Sequence, residues 1–162
     1  MPQRLISNVH EIMVKASSFF TKEQQEQILS AVKEAEEETS GEIRIHIETL
    51  CTGDVLDRAA WVFGKLGMHK TKLRNGVLFY LAVENRKFAI IGDAGINAKV
   101  PEGFWEKIKV FLQNNFKEGK FTEGLSEGII LAGEQLKTHF PYQIDDVNEL
   151  PDEISFDKPV GE

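Results

Sequence analysis

Gly76 opens an uninterrupted apolar run, Val-Leu-Phe-Tyr-Leu-Ala-Val over residues 77–83. A strand that is apolar on both faces has to be covered on both faces, so the run belongs in the middle of a sheet with helices above and below. A second segment fits beside it. Glu42 to Glu48 alternates strictly, with Ile43, Ile45 and Ile47 on one side and Glu42, Arg44, His46 and Glu48 on the other, the period of a strand with one polar face. That face is expected to be solvated or paired at the surface, and His46 receives no role. After a polar turn at Glu84, Asn85 and Arg86, Lys87 to Ile91 makes a further β-rich run, so the second and third strands form a hairpin.

Helical signals surround these strands. Thr21-Lys22-Glu23-Gln24 matches the capping box, in which a Thr oxygen and a Gln side chain satisfy the free amides of a helix start. That helix is predicted from Thr21 to about Thr39, with Ile28, Ala31, Val32 and Ala35 inward. Glu34, Glu36, Glu37 and Glu38 are assigned to water or the neighbouring layer, a solvated face in preference to a metal site. Asp54 caps a second helix carrying Val55, Ala59, Val62, Phe63 and Leu66. Pro101 begins a third, with Phe104, Ile108, Phe111 and Leu112 buried. The last spans roughly Thr122 to His139, with Leu125, Ile129, Ala132 and Leu136 inward, and Pro141 ends it. Trp61 and Trp105 fall on apolar stripes and are expected in the core.

The order of elements predicts a three-layer α/β/α sandwich around a small mixed sheet of about three or four strands. The first and second strands are joined through a helix and should be parallel, while the third runs back antiparallel. Gly41-Glu42, Arg74-Asn75 and Asp93 then meet at one edge of the sheet.

At 162 residues the chain is the size of one domain. The expected division is a helical extension over residues 1–18, a domain over 19–141 and an acidic tail over 142–162, partly docked through apolar residues such as Ile154 and Phe156. That tail carries seven acids against Lys158, a net of −6 out of −7, so the remainder is nearly neutral. No basic stripe suits a phosphate backbone, and nucleic acid is not an expected partner. The single Cys51 fits a reducing compartment. No stretch has the length of a membrane span and the N-terminus is not a signal peptide. A cytoplasmic monomer is expected.

Several motifs lack their context. Gly124-Leu125-Ser126-Glu127-Gly128 matches the nucleophile elbow in letters but lies in a helical pattern, without the strand that chemistry requires. His10, His46, His69 and His139 never fall at i, i+4, so no zinc site is predicted. Gly119-Lys120 lacks the rest of a P-loop.

The edge where three loops meet gathers oxygen ligands. Glu42, Asp93 and Asn97, with Glu102 as an addition, offer the hard-oxygen set that Ca²⁺ favours. Spacing alone favours a plainer arrangement, with Asp93 and Asn97 capping a helix and Glu42 paired with Arg74.

Thr-Ser-Gly-Glu-Ile entering the first strand, Arg-Asn-Gly-Val-Leu entering the second and Gly-Asp-Ala-Gly-Ile-Asn leaving the third resemble the TPM domain family. Phe116-Lys-Glu-Gly with Gly124-Leu125, and His139-Phe-Pro-Tyr with Asn148-Glu-Leu-Pro-Asp, resemble its stand-alone bacterial branch, over about residues 19 to 156. The resemblance implies an α/β/α sandwich, bound calcium in some members, and acid phosphatase activity credited to a plant thylakoid member. Many relatives carry a signal peptide and a membrane helix, and this sequence shows neither. It also strengthens the calcium reading, since Glu42, Asp93 and Asn97 stand in motif positions. The expectation is a calcium-binding and protein-interaction module with a protein partner and no assigned catalytic residue. The alternative is an acid-phosphatase-like phosphomonoester hydrolase, in which Asp93 and Arg74 or a cation assist phosphoryl transfer.

Overall fold

The computed structural model describes residues 13–142 and 152–157. Most of the expected N-terminal extension, and the tail over 143–151 and 158–162, lie outside the described residues. The order is α1 (Ala16–Phe19), α2 (Lys22–Glu36), β1 (Glu42–Glu48), α3 (Val55–Lys65), a 3₁₀ turn (Met68–Lys70), β2 (Gly76–Ala82), β3 (Lys87–Gly92), α4 (Ala94–Asn97), α5 (Phe104–Lys117), α6 (Phe121–His139) and β4 (Ile154–Phe156).

The capping box forms as read. Thr21 Oγ1 accepts from Gln24 N and Gln24 Oε1 accepts from Thr21 N, closing the first turn of α2. Asp54 likewise caps α3 by accepting from Asp57 N at 3.0 Å. Pro101 stands before α5, whose first residue is Phe104, with Gly103 between them in the left-handed region at φ +81°.

The sheet order is β3-β2-β1-β4. β1 and β2 are parallel in the register Glu42↔Gly76 to Glu48↔Ala82, and β2 and β3 are antiparallel from Val77↔Gly92 to Ala82↔Lys87. Both pairings follow from the connections, and the first strand's start does lie level with the third strand's end. β4 was not foreseen as a strand. It pairs parallel with β1 at Ile45↔Ile154, His46↔Ser155 and Ile47↔Phe156.

Odd-numbered residues of β1 and β2 face one apolar layer. Ile43, Ile45, Ile47, Val77, Phe79 and Leu81 pack there with α2, α5 and α6. Leu78, Tyr80 and Ala82 face the other way, against Ala59, Val62 and Phe63 of α3 and against Met68. The apolar run of β2 is thus covered on both sides, as its composition demanded. Trp105 joins the core rim, with its indole N–H on Asn97 Oδ1 at 2.7 Å. Trp61 does not. It is 38% exposed on α3, where Arg58 and Lys65 lie 4.4 and 5.4 Å from its ring centroid. The apolar stripe of α3 is narrow enough to leave the indole outside, and the two cations cover its face.

Gly124 and Gly128 sit inside α6, where Gly128 lets Leu112 of α5 approach; the Ser126 pattern is a helix-packing feature. Gly95 has a different task. A Cβ built on it would meet the Leu73 carbonyl oxygen at 2.0 Å and that of Arg74 at 2.5 Å. The glycine serves close backbone approach, which seats α4 on the loop before β2. Gly95→Ala should therefore lower stability by about 1–3 kcal/mol through overpacking, read as a fall in the urea midpoint at unchanged m-value. An unchanged midpoint would mean that this contact yields without strain.

Candidate metal centre

The polar face of β1 is buried. Glu42, Arg44, His46 and Glu48 are exposed by 2%, 7%, 0% and 3%, which corrects the expectation of a solvated or surface-paired face. The alternation holds, but α3 and residues 152–157 cover the polar side. Buried charge has to be partnered, and Arg44, His46 and Glu48 find their partners on other elements.

Glu48 anchors the distal end. Arg58 of α3 donates Nε to Oε1 at 2.9 Å and Nη2 to Oε2 at 2.6 Å. The Tyr80 hydroxyl donates to Oε1 and His46 Nε2 lies 3.3 Å from Oε2. Burial alone would raise the Glu48 pKa, but the bonds from His46, Arg58 and Tyr80 outweigh it and hold the group at about 2. Burial and the Glu48 carboxylate together push the Tyr80 phenol up from its usual value. Burial also lowers the Arg44 guanidinium, an effect that Glu153 opposes at 2.9 Å.

At the proximal end the geometry changes from pairing to repulsion. Carboxylate oxygens of Glu36, Glu42 and Asp152 all lie within 4.8 Å of one another. Glu36 is the last residue of α2, and its Oε2 accepts from Ile43 N at 2.7 Å. Glu42 N points to β2, where it donates to Asn75 O, so Ile43 N points to the opposite edge of β1, just before the pairing with β4 begins. Glu36 thus satisfies an edge amide that lies outside the β1–β4 pairing, and Asp152 stands beside it two residues ahead of β4. One oxygen of Asp152, Oδ1, is buried without a hydrogen-bond partner.

Glu36 is pushed up from 4.5 to about 9, first by burial, then by its hydrogen bond to Asp152 and the negative charges of Asp152 and Glu42, against the lowering effect of Ile43 N–H. A proton held there is what lets three carboxyl groups share the space. A hard divalent cation answers the same electrostatic need, because all the donors are carboxylate oxygens and one of them is orphaned.

The residues named from sequence divide. Glu42 belongs to this cluster. Asp93 instead takes the Arg74 guanidinium in a bidentate pair at 2.7 and 2.8 Å and caps α4 by accepting from Ala94 N at 2.7 Å. Burial would raise Asp93, yet Arg74 and the Ala94 amide hold it below the usual carboxylate range. Asp93 therefore caps as the plainer reading had it, while Arg74 pairs with Asp93 and not with Glu42. Asn97 donates to the Gly92 carbonyl oxygen and accepts from Trp105, and Glu102 is exposed ahead of α5. β2 stands between Glu42 and the end of β3, since both flank Gly76. Sequence reasoning missed Glu36 and Asp152.

The model of the TPM domain family matches residues 13–135. The BA42 protein of the psychrophilic bacterium Bizionia argentinensis is 47% identical in a solution structure with TM-score 0.80, covering 88% of this chain and 98% of that one. The N-terminal domain of a protein from P. gingivalis shares the fold at 19% identity and TM-score 0.64, covering 80% of this chain and 85% of that one. So does the N-terminal domain of the cg2496 protein of Corynebacterium glutamicum, at 12% identity and TM-score 0.58, covering 72% and 74%. No curated protein matches the chain.

The raised Glu36 pKa fixes a pH dependence. Between 4.5 and about 9 the folded protein holds a proton on Glu36 that the unfolded chain has lost, so its stabilising contribution is complete below 4.5 and disappears as the pH rises through about 9. In urea unfolding across this range the wild type should lose stability relative to Glu36→Gln as the pH rises. Glu48 does not interfere, because it titrates below its ordinary 4.5. Parallel curves for the two proteins would contradict the assignment.

Proposed function

Because the chain belongs to the TPM domain family, and Glu36, Glu42 and Asp152 converge at the outer edge of β1, we propose that it is a calcium-binding and protein-interaction module. The observation that carries the reading is the approach of three carboxylates within 4.8 Å with one oxygen buried and unpartnered. Three carboxylates can present the oxygen-rich, adaptable shell that Ca²⁺ accepts more readily than Mg²⁺, which demands a stricter octahedron. Each residue has a separate part in this. Glu42 is fixed by the sheet, Glu36 is fixed by the end of α2, and Asp152 is delivered by the segment that forms β4. The cation would take the place of the Glu36 proton, so binding near neutral pH releases a proton and tightens as the pH approaches about 9.

The interaction part draws on α3, whose exposed Leu56 and Trp61 are 56% and 38% accessible. Aromatic side chains such as Trp61 are enriched at protein contacts. No helix among the described residues is long and apolar enough to cross a membrane. The phosphomonoester-hydrolase alternative draws on the resemblance alone, since Asp93 and Arg74 are engaged with each other.

Calorimetric titration with Ca²⁺ should show saturable binding whose heat varies with the buffer's ionisation enthalpy, the sign of proton release. Glu36→Gln should abolish that variation, and Glu36→Gln or Glu42→Gln should weaken binding by at least about tenfold, ~1.4 kcal/mol. Asp93→Asn should bind as the wild type does. Equal loss in Asp93→Asn would move the site to the end of β3, and no saturable heat in the wild type would end the reading.

A further inference from the structure

Residues 152–157 join the sheet differently from every other strand. β2 pairs with β1 along all of Glu42–Glu48, whereas β4 pairs over three residues. Ile154 and Phe156 are only partly buried against the core. The other anchors are polar. Arg44 Nη2 donates to Glu153 Oε1 at 2.9 Å, His46 Nδ1 meets Ser155 Oγ at 2.7 Å, and His46 Nε2 lies 2.9 Å from the Asp157 carbonyl oxygen. Thr49 N donates to Asp157 Oδ1 at 2.6 Å and Asp157 N donates to Ile47 O at 2.7 Å. Asp157 also holds φ at +44°, which a non-glycine residue adopts at some strain.

Polar partners differ from apolar ones in what happens when they part, because each can be solvated by water. An edge that is bared from time to time is safer polar, since an apolar edge strand invites aggregation. Residues 153–157 meet β1 on both faces: Ile154 and Phe156 lie beside Ile45 and Ile47 at the rim of the core, while Glu153 and Ser155 meet Arg44 and His46 on the polar face. The same segment brings Asp152 and its unpartnered Oδ1 to Glu36 and Glu42.

We infer that residues 152–157 are a detachable edge strand whose docking on β1 is coupled to the cation site: Ca²⁺ held by Glu36, Glu42 and Asp152 locks the strand, and loss of the ion loosens it. This rests on the cation reading above. Without an ion the negative charges of Glu42 and Asp152 still crowd around the Glu36 carboxyl group, and an ion that binds only the docked form adds its binding free energy to docking. The dependence is reciprocal, so a loosened strand also lowers the affinity for the ion.

The test uses the full chain with Ca²⁺ as the probe, combining calorimetry with amide hydrogen exchange. The Thr49 and Asp157 amides report docking, because each donates across the β1–β4 contact. At a tenfold excess of Ca²⁺ over its Kd their exchange should slow by about tenfold, with the Phe79 amide in β2 unaffected. Ser155→Ala, which leaves the carboxylates untouched, should exchange faster at both amides without Ca²⁺ and still slow when the ion is added. Asp152→Asn should lose most of the slowing. Saturable heat with unchanged exchange at Thr49 and Asp157 overturns the coupling and leaves the cation reading standing. No saturable heat overturns both.

Discussion

Glu48 lies at the far end of β1 with Arg58 across both its oxygens, the Tyr80 hydroxyl on one and His46 beside the other. This arrangement draws together elements that the hydrophobic pattern alone would leave loosely related. Arg58 brings α3 across the even-numbered face of the sheet, Tyr80 ties in β2, and His46 extends the network to residues 155 and 157. Removing one member of such a buried set costs about 3–5 kcal/mol, because the others keep their charge in a place water cannot reach. The energetic logic of β1 is therefore opposite on its two faces. Ile43, Ile45 and Ile47 require only apolar neighbours, which α2 and α6 supply, whereas the polar face requires particular partners in particular places.

That difference explains which parts of the fold were legible in the sequence. Capping of α2 and α3, the helical stripes, the hairpin and the parallel β1–β2 pair all follow from local periodicity or from connection rules, and each formed. β4 did not announce itself, because three alternating residues in an acidic stretch give no strand signal, and their pairing partners lie more than a hundred positions away. His46 was assigned to the surface for the same reason. Alternation tells which side chains share a face, but what covers the face is a tertiary fact.

The candidate site shows the same limit at closer range. The strand ends do converge, since Glu42 stands opposite Gly76 and Asp93 N donates to Gly76 O. Convergence of backbones is not convergence of carboxylates, however, when a strand stands between them: two spacings of roughly 4.8 Å separate β1 from β3. Arg74, with φ +52°, then turns its guanidinium onto Asp93 and removes that carboxylate from any shared site. Glu36 could have been found. It falls four and eight positions after Val32 and Ile28, on the inward stripe of α2, although its composition is that of the neighbouring Glu34, Glu37 and Glu38. Asp152 had only its place in a resembling motif to mark it.

On the proposed coupling, proton and cation act on the same strand through the same oxygens. A proton on Glu36 removes one of three negative charges and gives Asp152 a donor, so below about pH 9 the repulsion left for the ion to relieve is smaller. Above that pH the proton is gone and only a cation relieves the repulsion. The dependence of β4 docking on Ca²⁺ must then grow with pH, since the ion no longer competes with a proton that performs part of its work. A chain built this way registers the cation most sharply where its own acid–base chemistry has withdrawn, and at the other end of β1 Glu48, held ionised from about pH 2 upward, keeps the underlying frame indifferent to the change.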